Sequence, residues 1–402
     1  MVIAFLEEDI NAMQRVQMKA IVIGAGIGGM CAAIALQRVG IESEVYEAVK
    51  ENKPVGAALS VWPNGVKCLN HLGLKEAFRQ LGGPMNYMAY HDHQHGQVMT
   101  RFSLEPLITS VGERPYPVAR AELQTMLIES YGIDAVCFGK RVCGIEETAH
   151  GVTAQFEDGT LASGDFLVAA DGTHSTIRPY VLGHAVERRY AGYVNWNGLV
   201  RIDESIAPHD QWTTYVGQGK RASVMPVAGN RFYFFFDVPL PTGLAHDRST
   251  LRADLMRYFE DWAEPVHKLI AAIDPATTNR IEIHDIEPFD RLVRGRVALL
   301  GDAGHSTTPD IGQGACAAME DAVVLALALQ TNSLGIEDAL LRYQDKRCSR
   351  VKDLVLKARK RCDVTHGKEM SVTHNWYGEL QNETGERILA SMRETIVGGP
   401  LG

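Results

Sequence analysis

An α/β fold, interrupted by an inserted antiparallel β-sheet and closed by C-terminal helices, is predicted by three observations. From Met18 onward short apolar runs alternate with helix-compatible segments. Between about Tyr190 and Pro241 that pattern gives way to β-branched and aromatic runs separated by Gly and Asn. After Ile336 the chain reads as helices dense in Lys and Arg.

At 402 residues and 46% hydrophobic, the chain can bury a cofactor-sized core and a second core beside it. A formal net charge of -9 argues against a general nucleic-acid or anionic-membrane binder, since both need a basic surface. The seven cysteines are scattered without a CxxC pair, so neither disulfides nor a zinc site is expected, no metal ligands are assigned, and a reducing cytoplasm is favoured. Glu7, Glu8 and Asp9 interrupt the stretch a signal peptide would need, and no apolar run approaches membrane-spanning length. Residues 1–17 read as an appendage before Met18, a plausible internal start.

The strand-like run Lys19–Ile23 leads directly into Gly24-Ala25-Gly26-Ile27-Gly28-Gly29, and a helical segment follows from Met30. In that context GxGxxG has a physical reading. Gly24 permits the tight turn, Gly26 lets the backbone approach a pyrophosphate, Gly29 lets helix pack on strand, and the helix N-terminus favours the anion. A second strand, Ser43–Glu47, ends in a carboxylate placed to accept from a ribose hydroxyl, with Ala48 beside it. An ordinary βα turn is the competing reading, weakened by the whole Rossmann-like order. These residues do not separate NAD from FAD, because both carry an adenosine diphosphate.

Two later motifs make that distinction. Asp165–Ala169 runs into Ala170-Asp171-Gly172-Thr173-His174-Ser175, with Arg178 following, and Gly301-Asp302-Ala303-Gly304-His305 is followed by Pro309, Gly312-Gln313-Gly314 and Glu320-Asp321. Both, in this order, resemble the FAD motifs of the aromatic-ring flavoprotein hydroxylases. Asp302, just after a buried strand, can hydrogen-bond a ribityl hydroxyl. Gly312 and Gly314 let the backbone approach an isoalloxazine edge, and the helix opening at Ala315 and Cys316 directs its positive end to the region where an anionic reduced flavin holds charge. The resemblance further implies that Arg120, at a helix start unfavourable for a cation, contacts FAD, and that Ser60, Val142 and Asp171 lie beside it. His305 has no metal-ligand partner spacing and reads as structural. No second strand-GxGxxG-helix unit exists, so NADH is expected as a transient co-substrate.

The substrate side is similar to the urate-hydroxylating members of that family over Tyr190–Gly198, Arg231–Asp237 and Thr308–Gly314. The resemblance implies that Asn195, Arg221, Tyr233 and Phe235 bind urate, with Arg221 and Tyr233 catalytic, and Phe234 is assigned to substrate binding beside them. It further implies that NADH reduces the flavin, O2 forms a C4a-hydroperoxide, and oxygen passes to C5 of urate. Read from residues alone, Arg221–Val227 and Arg231–Val238 form a hairpin across Ala228-Gly229-Asn230. A three-residue loop sets Met225 opposite Tyr233 and Ser223 opposite Phe235, with Arg221 on the same face. Alternation then makes Phe232, Phe234 and Phe236 core, which gives Phe234 two readings. Arg221 is read as a ligand-binding group in preference to a simple partner of Asp237, while Asp310 either orients Arg221 or water, or caps its loop.

The predicted organisation is a discontinuous FAD-binding domain (18–86, 115–191 and 279–335), a substrate domain (87–114 and 192–278) and a helical region (336–402) whose cationic face is solvated. The rival functions are a phenolic-acid hydroxylase and a flavoprotein reductase that hydroxylates nothing.

Overall fold

The computed structural model describes residues 18–51, 57–330 and 335–402; the expected appendage over 1–17 lies outside the described residues. Its cofactor half is built on a six-stranded sheet in the order Val293–Arg294, Val297–Leu299, Phe166–Ala169, Lys19–Ile23, Glu42–Glu47, Val136–Phe138. All neighbours are parallel except the Val293–Arg294 edge hairpin. The central runs are apolar throughout because both faces are covered, and Ala20, Ile21, Val22, Leu167 and Val168 are fully buried. The helix Ile27–Arg38 packs against Gly314–Gln330, which is buried nearly all round and correspondingly apolar. The close approach is helped by Gly28, where a Cβ would stand 3.1 Å from Ala318 Cβ of the facing helix.

The substrate half is a seven-stranded sheet in the order Asn279–Ile286, Arg188–Arg201, Arg231–Pro239, Lys220–Val227, Gln211–Gly217, Tyr87–Asp92, Val98–Ser103. One domain boundary is corrected. Strand Asn279–Ile286, assigned from sequence to the FAD-binding domain, pairs with Arg188–Arg201, and that strand begins before the expected boundary at 191. The sheet is antiparallel as expected but for one pairing, where Tyr87–Asp92, arriving from the earlier excursion, lies parallel to Gln211–Gly217. Period-two alternation divides the sheet into two faces. One packs Phe232, Phe234 and Phe236 against the helices Leu251–Tyr258 and Glu264–Ala272; the other turns Asn195, Arg221, Tyr233 and Phe235 inward.

Three helices, Ile336–Thr365, Met370–Leu380 and Glu386–Val397, complete the chain. The expectation of a wholly solvated cationic face fails at Arg347, which is 1% exposed. Its Nε donates to Asp321 Oδ1 (2.6 Å), Nη1 to Glu320 Oε2 (2.8 Å) and Nη2 to the Ala317 carbonyl (3.1 Å). Asp321 also accepts from the Gly301 N–H (2.9 Å) and contacts His305 Nε2 (2.6 Å), which makes His305 structural. A buried ion pair is most costly when half of it is removed. Replacing Arg347 with Met is therefore expected to lower the unfolding free energy by about 3–5 kcal/mol, read from urea denaturation, and a loss below about 1 kcal/mol would contradict this role.

Candidate functional site

The glycines of the first motif divide their work. Gly24 has φ +105°, and a Cβ there would stand 2.3 Å from the Ala170 carbonyl oxygen; at Gly29 it would stand 1.9 Å from the Gly24 carbonyl oxygen. Both therefore serve the turn and its packing. Gly26 has nothing within 4 Å and faces open space at the N-terminus of the helix Ile27–Arg38, where a pyrophosphate fits. Glu47 Oε2 accepts from the Ala25 N–H (2.8 Å) and Oε1 from the Val49 N–H (3.0 Å), with Ala48 in the turn between. Each oxygen retains a lone pair for a ribose hydroxyl. Arg120 opens the helix Arg120–Tyr131. One turn later Gln124 donates to the Ala25 carbonyl (3.0 Å), which brings that helix face to the glycine loop. Arg120 is exposed, and while its main-chain N–H donates to the Ala57 carbonyl (3.1 Å), its guanidinium makes no hydrogen bond or ion pair among the described residues, so its charge is available to a phosphate or ribityl group.

The two flavin motifs are tied together by Arg178, which is 3% exposed. Its Nε donates to the Ala303 carbonyl (2.7 Å) and its Nη2 to the Asp302 carbonyl (2.9 Å). Asp302 is left with an exposed carboxylate that has no hydrogen-bond partner among the described residues. Asp171 Oδ2 accepts from the Thr176 N–H (2.8 Å), while Oδ1 is buried without a partner. Gly312 is left-handed (φ +63°), and a Cβ there would stand 2.7 Å from the Trp62 indole nitrogen. Beyond it, Gly314 and Ala315 are partly open at the start of the helix Gly314–Gln330. The Gln313 side chain turns away and accepts from Asn64 Nδ2 (2.9 Å), which leaves its main chain for a ligand. Burial pushes the Cys316 thiol up to about 12, so this cysteine is a packing group rather than a nucleophile. Ser60 donates to Met225 Sδ (3.2 Å) at the seam between the halves, and the Val142 side chain lies in the core, leaving its main chain for contact. Open glycine cradle, available cation, the exposed Asp302 carboxylate and a positive helix terminus together fit FAD.

On the substrate face the hairpin takes the expected register. Arg221 lies opposite Asp237, Ser223 opposite Phe235 and Met225 opposite Tyr233, with Asn230 at φ +56° in the loop. Phe234 is corrected here: its ring lies on the far face, over Gly198 and against Phe236, so it belongs to the core and not to the site. Arg221 Nε donates to Asp237 Oδ2 (2.8 Å) and Nη2 to Asp310 Oδ1 (2.9 Å). The pairing with Asp237 thus exists, but it does not consume the guanidinium, since Nη1 makes no hydrogen bond among the described residues. Asp310 orients Arg221, one of the roles the sequence left open. Asn195 Nδ2 donates to Asp237 Oδ1 (2.6 Å), and Asn197 in turn donates to Asn195 Oδ1 (2.6 Å). Asn195 therefore anchors Asp237, and its amide oxygen is occupied.

Two polar neighbours escaped the sequence reading. Tyr193 donates to Asp310 Oδ2 (3.0 Å), and His366 stacks on Tyr193 with ring centroids 3.7 Å apart. Tyr193 could have been found from its position two residues before Asn195, on the same face. His366 carries no local signal, because it follows a helix end.

Burial alone would raise the Asp310 carboxyl, but the Arg221 guanidinium outweighs it and holds the group well below the usual carboxylate range. The Tyr233 phenol moves upward, chiefly through burial and then through the charge of Asp237, so at neutral pH it is a donor. Its hydroxyl has no partner among the described residues. The Phe235 ring lies between these two donors, 5.5 Å from the Arg221 guanidinium carbon and 5.7 Å from the Tyr233 ring. A cavity of about 760 Å³ lies beside this region, bounded on one side by Trp62, Met88, Trp212, Asp310 and Gln313 and on the other by C-terminal helix residues such as Trp376.

The cradle and the face beside it define a flavoprotein, and the model of the FAD binding domain family matches residues 17–358. The chain is 68% identical over 385 residues to the FAD-dependent urate hydroxylase of Klebsiella pneumoniae, covering 96% of this chain and 100% of that one. It is 55% identical over 386 residues to the protein of the same name from Mycolicibacterium vanbaalenii, covering 96% and 98%. Its structure matches the crystal structure of Klebsiella pneumoniae HpxO complexed with FAD and uric acid at a TM-score of 0.94 and 66% identity, covering 96% of this chain and 99% of that chain. The chain belongs to the family of FAD-dependent urate hydroxylases.

The glycine assignments separate cofactor binding from folding. Gly26→Val is expected to weaken FAD binding at least about tenfold with the apoprotein melting temperature unchanged. Gly24→Ala, strained at φ +105°, is expected to lower that temperature. Fluorescence titration with FAD and thermal unfolding of the apoproteins read both effects, and a Gly26→Val variant that binds FAD normally would contradict the assignment.

Proposed function

We propose that this protein hydroxylates urate at C5 to give 5-hydroxyisourate, consuming NADH and O2. The observation that carries the reading is the strip formed by Arg221, Phe235 and Tyr233: two unsatisfied donors on either side of an aromatic ring, buried on the face turned to the flavin site. Urate is flat, anionic at neutral pH and rimmed with carbonyl acceptors, so it can use the ring by stacking and both donors by hydrogen bonding. FAD, when bound, supplies the exchange of electrons with NADH and the activation of O2.

The residues of the chain supply placement and dryness. Arg221, prevented from swinging by Asp237 and Asp310, offers Nη1 to the urate anion. Tyr233, held as the neutral phenol, donates to a urate oxygen or nitrogen. Orientation of the electron-rich C5 edge toward the cofactor, with water excluded by the surrounding sheet and helices, allows oxygen transfer to outcompete release of hydrogen peroxide. A reducing cytoplasm suits the seven cysteines, all of them free, and among the described residues no helix is long and apolar enough to cross a membrane.

The test is NADH oxidation by the FAD-loaded protein in air, with urate loss and peroxide followed together. Urate loss equal to NADH use, with little peroxide, is expected. NADH use unaffected by urate would overturn the proposal, and stimulation by salicylate or hydroxybenzoate in its place would transfer it to the phenolic acids. In the same assay Tyr233→Phe is expected to lower kcat/KM for urate by about 10–150-fold, the loss of one hydrogen bond to a charged ligand.

A further inference from the structure

His366 follows the helix Ile336–Thr365, far in sequence from the strands and loop that supply the rest of the substrate face, yet it is buried against the two central groups of that face. Its Nε2 lies 3.2 Å from Asp310 Oδ1 and 3.3 Å from Arg221 Nη2. Its Nδ1 lies 3.2 Å from the Gly219 carbonyl oxygen, which can only accept, so Nδ1 bears a hydrogen. Nε2 then has two uses: without a hydrogen it accepts from Arg221 Nη2, and with one it donates to Asp310 Oδ1. In both states the ring bridges the same ion pair.

The ring itself is fixed. Tyr193 lies beneath it at an interplanar angle of 17°, and the Tyr193 hydroxyl donates to Asp310 Oδ2, so the two stacked residues grip both oxygens of one carboxylate. Burial and then the charge of Asp310 push the Tyr193 phenol upward, which keeps it a donor. The chain that carries His366 is seated by a contact between glycines: a Cβ on Gly219 would stand 3.2 Å from the His366 carbonyl oxygen. Tyr377, on the following helix, accepts from the Gly219 N–H (3.0 Å). Two carboxylates, Asp237 and Asp310, flank the single guanidinium of Arg221.

We propose that His366 is a positioning residue for urate hydroxylation, clamping Asp310 and through it Arg221 so that Nη1 stays directed at the substrate. The C-terminal helices thereby complete a site whose ligand-facing side chains come from the sheet. The inference rests on the urate reading above, and its test distinguishes the two.

The experiment compares FAD-loaded wild type, His366→Leu, His366→Gln and Tyr193→Phe, measuring urate binding to the oxidised enzyme by flavin absorbance alongside NADH use, urate loss and peroxide. His366→Leu is expected to raise the urate Kd and KM at least about tenfold and to divert most NADH oxidation to peroxide. His366→Gln, whose amide N–H can reach Asp310, is expected to recover part of the affinity. Tyr193→Phe, which keeps the stack and loses the hydroxyl, should shift in the same direction by a smaller factor. A wild type indifferent to urate overturns the functional reading and this inference with it. A wild type that hydroxylates urate beside a His366→Leu that binds and couples equally well overturns the inference alone. If His366→Leu does not fold, wild-type affinity and coupling in both His366→Gln and Tyr193→Phe overturn it.

Discussion

A guanidinium buried between two carboxylates is the constraint on which the substrate side of this protein depends. Arg221 could not remain charged under the sheet without Asp237 and Asp310, because desolvation of an unpaired cation costs several kcal/mol. The three groups come from adjacent strands and from the loop beside the flavin motif, so the ion pairs fasten the substrate sheet to the cofactor half at the proposed site. Such a pair is weak evidence for stability, but a demanding one for geometry. Asn195 and Asn197 continue the hydrogen bonding on one side, Tyr193 and His366 on the other, so that every charged oxygen has a donor and one guanidinium nitrogen is left over.

A second buried arginine performs the equivalent task for the cofactor half. Arg347 joins the long C-terminal helix to Glu320 and Asp321, and those carboxylates reach the Gly301 N–H and Asn64, which in turn holds the Gln313 side chain. The loop from Gly312 to Ala315, which needs a fixed backbone to meet a flavin, is thus braced from behind. Both halves use the same device, a paired buried arginine that fixes main chain or side chain near a ligand, and both draw on the helices after Ile336.

What could be read from the sequence was local. The turn at Gly24, the open position at Gly26, the carboxylate at Asp302 and the hairpin register around Ala228-Gly229-Asn230 each follow from a few adjacent residues, and the structure places them as expected. Alternation put Phe234 in the core, where it lies, against its other assignment to the substrate site. What was not legible depends on contacts distant in the chain. Strand Asn279–Ile286 alternates like any edge strand, and nothing local states which sheet it joins. Arg347 sits in a run of charges that resembles a solvated helix face until Glu320 and Asp321 are brought against it. His366 has no period and no motif; its position is set by the docking of glycines 219 and 367.

The central claim, that the fork of Arg221 and not merely its charge receives urate, is tested most directly by the affinity of oxidised, FAD-loaded Arg221→Lys for urate. A lysine preserves the positive charge but cannot span Asp237 and Asp310 while presenting a third donor. The account predicts that the urate Kd rises by about 10–100-fold, or about 1.4–2.8 kcal/mol, with FAD binding intact. A variant that binds urate within about threefold of wild type would contradict it.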